Sequence, residues 1–275
     1  LSARDLTNKI KTLLTALGVL PGDTVFVHSG IGPISAMLGK DIKVSIPDAL
    51  TAFHTALLET LGQEGTVAAP GFFYDYARKG KPFILETSPP DRALGFYPMH
   101  LFKEEGCKRS LNPLTSILAV GKHADEICEH TSAYAYGVTS PWARLAERDA
   151  KGLVIGLPFM MTFLHHVEAL VGPPQIYNKL FRAPVIVNGE PITLPVVGAM
   201  RYLKYDISYK DDQLEAMLRR EGVMTEVSTC GVKASLTRFT DIQRLLSAEL
   251  SKDSSFTLAA EPNFIAGEVP DDSKW

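Results

Sequence analysis

Pro21-Gly22-Asp23-Thr24-Val25-Phe26-Val27-His28-Ser29-Gly30-Ile31-Gly32 is the stretch whose reading decides the fold. Its first three residues carry turn chemistry. Thr24 to His28 are β-branched, aromatic and apolar, and read as a short buried strand. The strand runs into a loop of small residues, Ser29 to Gly32. Upstream, Leu6, Ile10, Leu13, Leu14 and Leu17 stand at helical spacing behind Asp5, so a helix is expected over 5–17 with Gly18 ending it. Downstream, an amphipathic helix is expected from Ser45 or Pro47 to Leu61, and Gly65-Thr66-Val67-Ala68-Ala69-Pro70 reads as the next strand. Strand, helix and strand in that order imply an α/β fold, layered α/β/α, with at least part of a mixed sheet parallel.

The pattern continues outward from there. The stretch 72–91 is aromatic and holds Pro82, Pro89 and Pro90, so it reads as a long loop, and long loops inside a domain usually carry function. Helices are expected over 96–105, 124–129, 141–147, 164–172, 214–221 and 241–251. Strands are expected over 116–120 and 152–156. Asn188-Gly189 marks a β-hairpin within 183–197. Residues 224–227 and 232–236 read as extended or mixed, and 262–275 shows little pattern. The whole, 1–275, reads as one domain with a β-rich second half.

Composition bounds the function. Of 275 residues, 45% are hydrophobic and 21% charged, with a net charge of −3. This is ordinary globular composition, and folding at this length buries roughly 70–75% of the chain surface. The near-neutral balance supplies no basic stripe for nucleic acid. Cys107, Cys128 and Cys230 are far apart and form no Cys-x-x-Cys pair, which speaks against a disulfide framework or structural zinc. No apolar run approaches the ~18 residues of a membrane span. The opening residues lack a basic head followed by an apolar stretch, so the expected location is cytoplasmic.

Three segments could carry chemistry. In Leu164-His165-His166-Val167-Glu168, residues three apart share a helix face, so His165 and Glu168 can form a carboxylate–imidazole pair. Such a pair equips a general base near neutral pH. The same residues could equally be a satisfied structural pair, or part of a metal site with a third ligand from His28, His100 or Asp75, although no His-Glu-x-x-His spacing is present. His28-Ser29-Gly30-Ile31-Gly32 could bring backbone amides close to an anion or a pantetheine arm, or could be a tight turn that needs glycine. Arg109-Ser110 with Thr115-Ser116 offers one cationic fork and several hydroxyls, for a phosphate or for a loop contact. Tyr74-Asp75 could face a polyol or a cationic amine. No phosphate-binding Gly-x-x-x-x-Gly-Lys loop, dinucleotide fingerprint or Gly-x-Ser-x-Gly elbow occurs.

Taken in order, these pieces resemble the aminoglycoside 3-N-acetyltransferase family of antibiotic N-acetyltransferases. The landmarks run over about 5–250. They are Gly22 to Ser29, Gly65-Thr66-Val67 with Pro70, Tyr74-Asp75, Thr87-Ser88-Pro89 with Gly95, Arg109-Ser110 with Asn112-Pro113 and Ser116, Gly121, Gly137 with Ser140-Pro141, Leu164-His165 with Glu168, and Gly231 with Ala234. The resemblance implies acetyl transfer from acetyl-CoA to an amine of an aminoglycoside or other amino sugar, directly in a ternary complex and without a metal. It implies His165 as general base and Glu168 as its orienting partner. His28, Ser29, Gly30, Ile31, Arg109 and Ser110 would line the coenzyme A arm, Thr115 or Ser116 would sit near the thioester, and Tyr74, Asp75 and His166 would face the acceptor. The expected partner is the small amino sugar, with no nucleic acid and no membrane, and a homodimer is the expected assembly.

The chain departs from the family pattern at Gly30, where a second serine is usual, and at Asn112, where histidine is usual. Pro158 to Thr162 is more apolar than the matching stretch of the antibiotic-modifying enzymes. The 72–91 loop sets Asp75, Glu86 and Asp91 against Arg78, Lys79 and Lys81, without a dense acidic cluster. A polycation prefers an acidic pocket, so these departures favour an amino sugar of lower positive charge, such as an amino-sugar nucleotide or surface-polysaccharide precursor. Two rival readings stand beside this one: a metal-dependent hydrolase built on His165, His166 and Glu168, and a ligand-binding homologue without activity.

Overall fold

A computed structural model describes residues 3–39, 42, 44–129, 132–202, 205 and 207–263. Its centre is a seven-stranded mixed sheet. The strands are β1 (Thr24–Ser29), β2 (Thr66–Pro70), β4 (Lys108–Arg109), β5 (Ile117–Gly121), β6 (Lys151–Ile155), β11 (Met224–Thr229) and β12 (Val232–Arg238), in the order β11-β12-β6-β1-β2-β5-β4. β1 pairs in parallel with β2 on one side and β6 on the other, while the outer pairings are antiparallel.

β1 is buried along nearly its full length, as a central strand covered on both faces must be. The period-two alternation assigns its side chains to the two layers. Val25 and Val27 join the core formed with helices α1 (Ala3–Leu17), α2 (Ile31–Ser35), α3 (Ile46–Leu61) and α5 (Phe96–Leu101). Phe26 faces the opposite core, with Trp142 of α7 (Pro141–Glu147), Leu164 and Val167 of α8 (Leu164–Val171), and Phe239 and Ile242 of α10 (Phe239–Lys252). The result is the expected α/β/α layering. α3 begins where the sequence marks it: the Ser45 hydroxyl accepts from the Asp48 N–H, with Pro47 in the first turn.

The remaining strands form small sheets. β7 (Ile176–Phe181) pairs antiparallel with β10 (Val196–Arg201), and β3 (Phe83–Ile84), β8 (Val185–Val187) and β9 (Glu190–Ile192) form a second. Asn188 and Gly189 both adopt positive φ, 51° and 81°, giving the two-residue hairpin turn expected there. The 183–197 hairpin is shorter than expected, because Val196 onward leaves it to pair with β7. Short helices α4 (Asp75–Lys79) and α6 (Ala124–Cys128), and α9 (Asp211–Arg220), complete the elements. The helix expected over 96–105 stops at Leu101. Most of 262–275 lies outside the described residues. Among the described residues no helix is long and apolar enough to cross a membrane.

The strand order reverses at β1, and parallel pairing puts the carboxyl ends of β1, β2 and β6 on one edge. That edge of an open α/β sheet is where ligands bind.

Candidate active site

His165 lies in the first turn of α8, where its neighbours Leu164, His166, Val167 and Glu168 are all buried and it alone of these keeps a side exposed. The helix ends at Gly172, whose left-handed conformation (φ 71°) lets its N–H close onto the Glu168 carbonyl. The i,i+3 spacing brings His165 Nδ1 within 2.9 Å of Glu168 Oε2. Glu168 is fully buried. Its carboxylate also accepts from the Tyr209 hydroxyl at 2.8 Å on the same oxygen and from the Thr257 hydroxyl at 3.0 Å on the other. Three donors therefore offset the cost of taking this charge out of water. With the carboxylate accepting at Nδ1–H, the ring's lone pair is on Nε2. The imidazole is held by the rings of Tyr136 and Tyr209 at 5.5 and 5.0 Å, and its side chain stays one-third exposed.

That exposed side lines a cleft of about 300 Å³. Phe72 and Tyr74 enter it from the loop after β2, Leu114 and Thr115 from the segment before β5, Tyr136 from the loop before α7, and Met200 and Arg201 from β10. Of the residues singled out in the sequence, His165, Tyr74 and Thr115 share this cleft. Arg78 was noted only for the charge of its loop, and Tyr136, Tyr209, Thr257 and Arg201 were not singled out. Tyr209 and Thr257 follow no periodic pattern, and only the tertiary fold carries them to Glu168.

The other named residues lie elsewhere. His166 is buried on the core side of α8, where its Nδ1 donates to the Tyr136 carbonyl at 2.7 Å. Adjacent helical positions do not share a face, so His166 does not join His165 in the cleft. Asp75 sits at the start of α4, paired with Lys79 at 3.0 Å and Lys81 at 2.7 Å. Arg109 is buried and engaged within the fold. Its guanidinium donates to the carbonyls of Ser88 and Gly71 and to the Ser116 hydroxyl, between the rings of Phe83 and Phe102. Burial lowers its pKa to about 9, so it remains a cation at neutral pH. Ser110 Oγ accepts from the Ile117 N–H. The Ser116 hydroxyl donates to the Gly71 carbonyl, and that of Thr115 to the Ala135 carbonyl. The segment expected to present a cationic fork and free hydroxyls thus fastens the ends of β2 and β5 to the 72–91 loop. Asn112 is a turn residue here, its Oδ1 accepting from the Leu114 N–H.

At the carboxyl end of β1, His28 is buried edge-on against Phe26, and burial lowers its pKa to about 4. Its Nε2 and the Ser29 hydroxyl are buried without a partner among the described residues. Gly30 explains its own identity: a Cβ there would lie 2.3 Å from the Gly156 carbonyl oxygen, so the two strand ends meet too closely for a side chain. Ile31 is buried and opens α2. Among the described residues, no group of three His, Cys, Asp or Glu side chains converges as a metal site would require.

Comparison with known proteins places the fold and the family. Aminoglycoside N(3)-acetyltransferase IX of Micromonospora chalcea is 29% identical over 67% of this chain and 69% of its own length. Aminoglycoside N(3)-acetyltransferase VIII of Streptomyces fradiae is 30% identical over 65% and 66%. Among solved structures, aminoglycoside acetyltransferase AAC(3)-Xa superposes with a TM-score of 0.74 at 23% identity, over 90% of this chain and 92% of that one. A binary complex of AAC-IIIb with CoASH gives 0.73 at 23%, over 93% and 98%. The sequence profile of the aminoglycoside 3-N-acetyltransferase family matches residues 26–250. The chain belongs to the aminoglycoside 3-N-acetyltransferase family and is an N-acyltransferase of the acetyl-CoA-dependent kind.

Proposed function

We propose that this protein acetylates an amine of an amino sugar by direct attack in a ternary complex, with His165 as the general base and Glu168 as its orienting partner. Acetyl-CoA, when bound, supplies the acetyl group activated as a thioester. The unpartnered, buried Ser29 hydroxyl at the end of β1 fits a role along the coenzyme arm, together with the backbone of Gly30 and Ile31. The aromatic and apolar residues among the walls of the His165 cleft, with a few polar groups between them, suit a small-molecule site.

The observation that carries the reading is the chain Tyr209–Glu168–His165 opening onto the cleft. An alkyl ammonium has no lone pair, so it must lose a proton before it can attack. His165 Nε2 takes that proton, and the Glu168 carboxylate stabilises the imidazolium through Nδ1–H while fixing the ring's orientation. Because the Thr115 and Ser116 hydroxyls donate to carbonyls, a backbone N–H is the donor expected to face the developing oxyanion. Holding acceptor and acyl donor in one cleft supplies much of the remaining rate advantage.

The test is a free-thiol assay with acetyl-CoA and a panel of aminoglycosides, amino sugars and amino-sugar nucleotides, with mass spectrometry to locate the new amide. Thiol release with amide formation on an amino sugar supports the reading. Coenzyme A binding without thiol release for any amine refutes it in favour of a non-catalytic homologue.

A further inference from the structure

The charge of the acceptor is written into the walls of the His165 cleft. Two side chains lining it are cationic, Arg78 and Arg201, and none of the described lining residues is acidic. Glu168, the carboxylate hydrogen-bonded to His165, is fully buried with three donors on it, and Asp91, which acts on Tyr74 from outside the lining, accepts from the Ala93 N–H. Asp75 is turned to Lys79 and Lys81.

Among the described residues neither arginine is paired with a carboxylate. Arg78 is exposed, lies over the Tyr74 ring at 4.7 Å and forms no ion pair among the described residues. Arg201 is half-buried on β10, lies over the Tyr209 ring at 5.3 Å and donates one N–H to the Ile207 carbonyl at 3.2 Å. Each is thus braced by an aromatic ring on the cleft wall, with guanidinium N–H groups left over. Braced guanidinium forks of this kind match carboxylate and phosphate oxygens. Such a cleft repels a polycation and attracts an anion.

Resting on the acyl-transfer reading above, we infer that the acceptor is an amine that also carries an anionic group, a phosphate or a carboxylate, held by Arg78 and Arg201 while its amino group meets His165. The coenzyme also carries phosphates, so the test must separate the two sources of negative charge.

The experiment measures kcat/KM by thiol release for four acceptors: glucosamine, glucosamine 6-phosphate, muramic acid and kanamycin. It is repeated in Arg78→Ala, Arg201→Ala and the corresponding lysine variants, with the Kd of coenzyme A measured by calorimetry. The expected result is a preference of at least ~10-fold for an acidic acceptor over glucosamine, with kanamycin poorest. The phosphate and carboxylate arms show which anion is read. Each alanine variant should lower the acidic-to-neutral selectivity by roughly 10-fold, and lysine should restore part of it. Preference for kanamycin overturns the inference, as does unchanged selectivity with weakened coenzyme A binding, which assigns the arginines to the coenzyme phosphates. Absence of thiol release with every acceptor overturns the acyl-transfer reading and this inference with it. Thiol release without charge selectivity overturns this inference alone.

Discussion

Glu168→Gln isolates the charge of the buried carboxylate from its shape. The native group accepts from His165 Nδ1–H and Tyr209 on Oε2 and from Thr257 on Oε1. A glutamine can put its carbonyl toward His165 and Tyr209 and its NH2 toward Thr257, whose hydroxyl rotates to accept. The ring keeps its tautomer and position, and only the negative charge is lost. That charge matters most once the imidazole is protonated. A hydrogen bond between charged partners contributes about 1.5–3 kcal/mol against about 0.5–1.5 for a neutral one. The difference, about 1–2 kcal/mol, is roughly 5–30-fold in rate. Steady-state kinetics with acetyl-CoA and the preferred amine should show the loss in kcat, with KM for acetyl-CoA unchanged. Wild-type kcat, or a loss confined to KM, would refute the role assigned to Glu168.

Other positions give independent checks. His28 has a folded pKa of about 4 against 6.5 unfolded. Its contribution is therefore complete above pH 6.5 and declines as pH falls toward 4, by about 3 kcal/mol. His28→Phe should flatten the fall in urea-unfolding stability between neutral and mildly acidic pH, and an unaltered pH profile would contradict this. Gly30→Ser restores the residue usual in the family but drives a Cβ into the Gly156 carbonyl. It should cost about 1–3 kcal/mol in chemical denaturation, and full stability would show that the strand ends can separate. Arg109→Met leaves the Ser88 and Gly71 carbonyls without their buried donor and should cost about 3 kcal/mol, with coenzyme A affinity retained below the melting temperature. A stable variant that no longer binds coenzyme A would return Arg109 to the ligand.

The central sheet was legible where local signals are strong. Thr24 to His28 and Gly65 to Pro70 are short apolar runs between turn residues, and both are central strands. Asn188-Gly189 gave its hairpin for the same reason. Residues 224–227 and 232–236 read only as extended or mixed, and the strands that form there, Met224–Thr229 and Val232–Arg238, are joined by Cys230-Gly231, with Cys230 at φ 49°, a pair without the usual Asn-Gly signature. β7 was missed because its exposed and half-buried residues alternate with little hydrophobic contrast. At the site, the His165–Glu168 spacing was readable because a helix fixes which residues meet. Tyr209 and Thr257 were not, since they approach Glu168 from 41 and 89 residues away along the chain. Arg109 and Ser116 looked like ligand groups because sequence gives chemistry without burial, and burial turned them inward.

The most direct measurement is single-turnover acetyl transfer by His165→Ala, with coenzyme A affinity measured on the same preparation by calorimetry. The account predicts a fall of ~10²–10⁴-fold in the transfer rate with affinity for coenzyme A preserved. Transfer at the wild-type rate would contradict it.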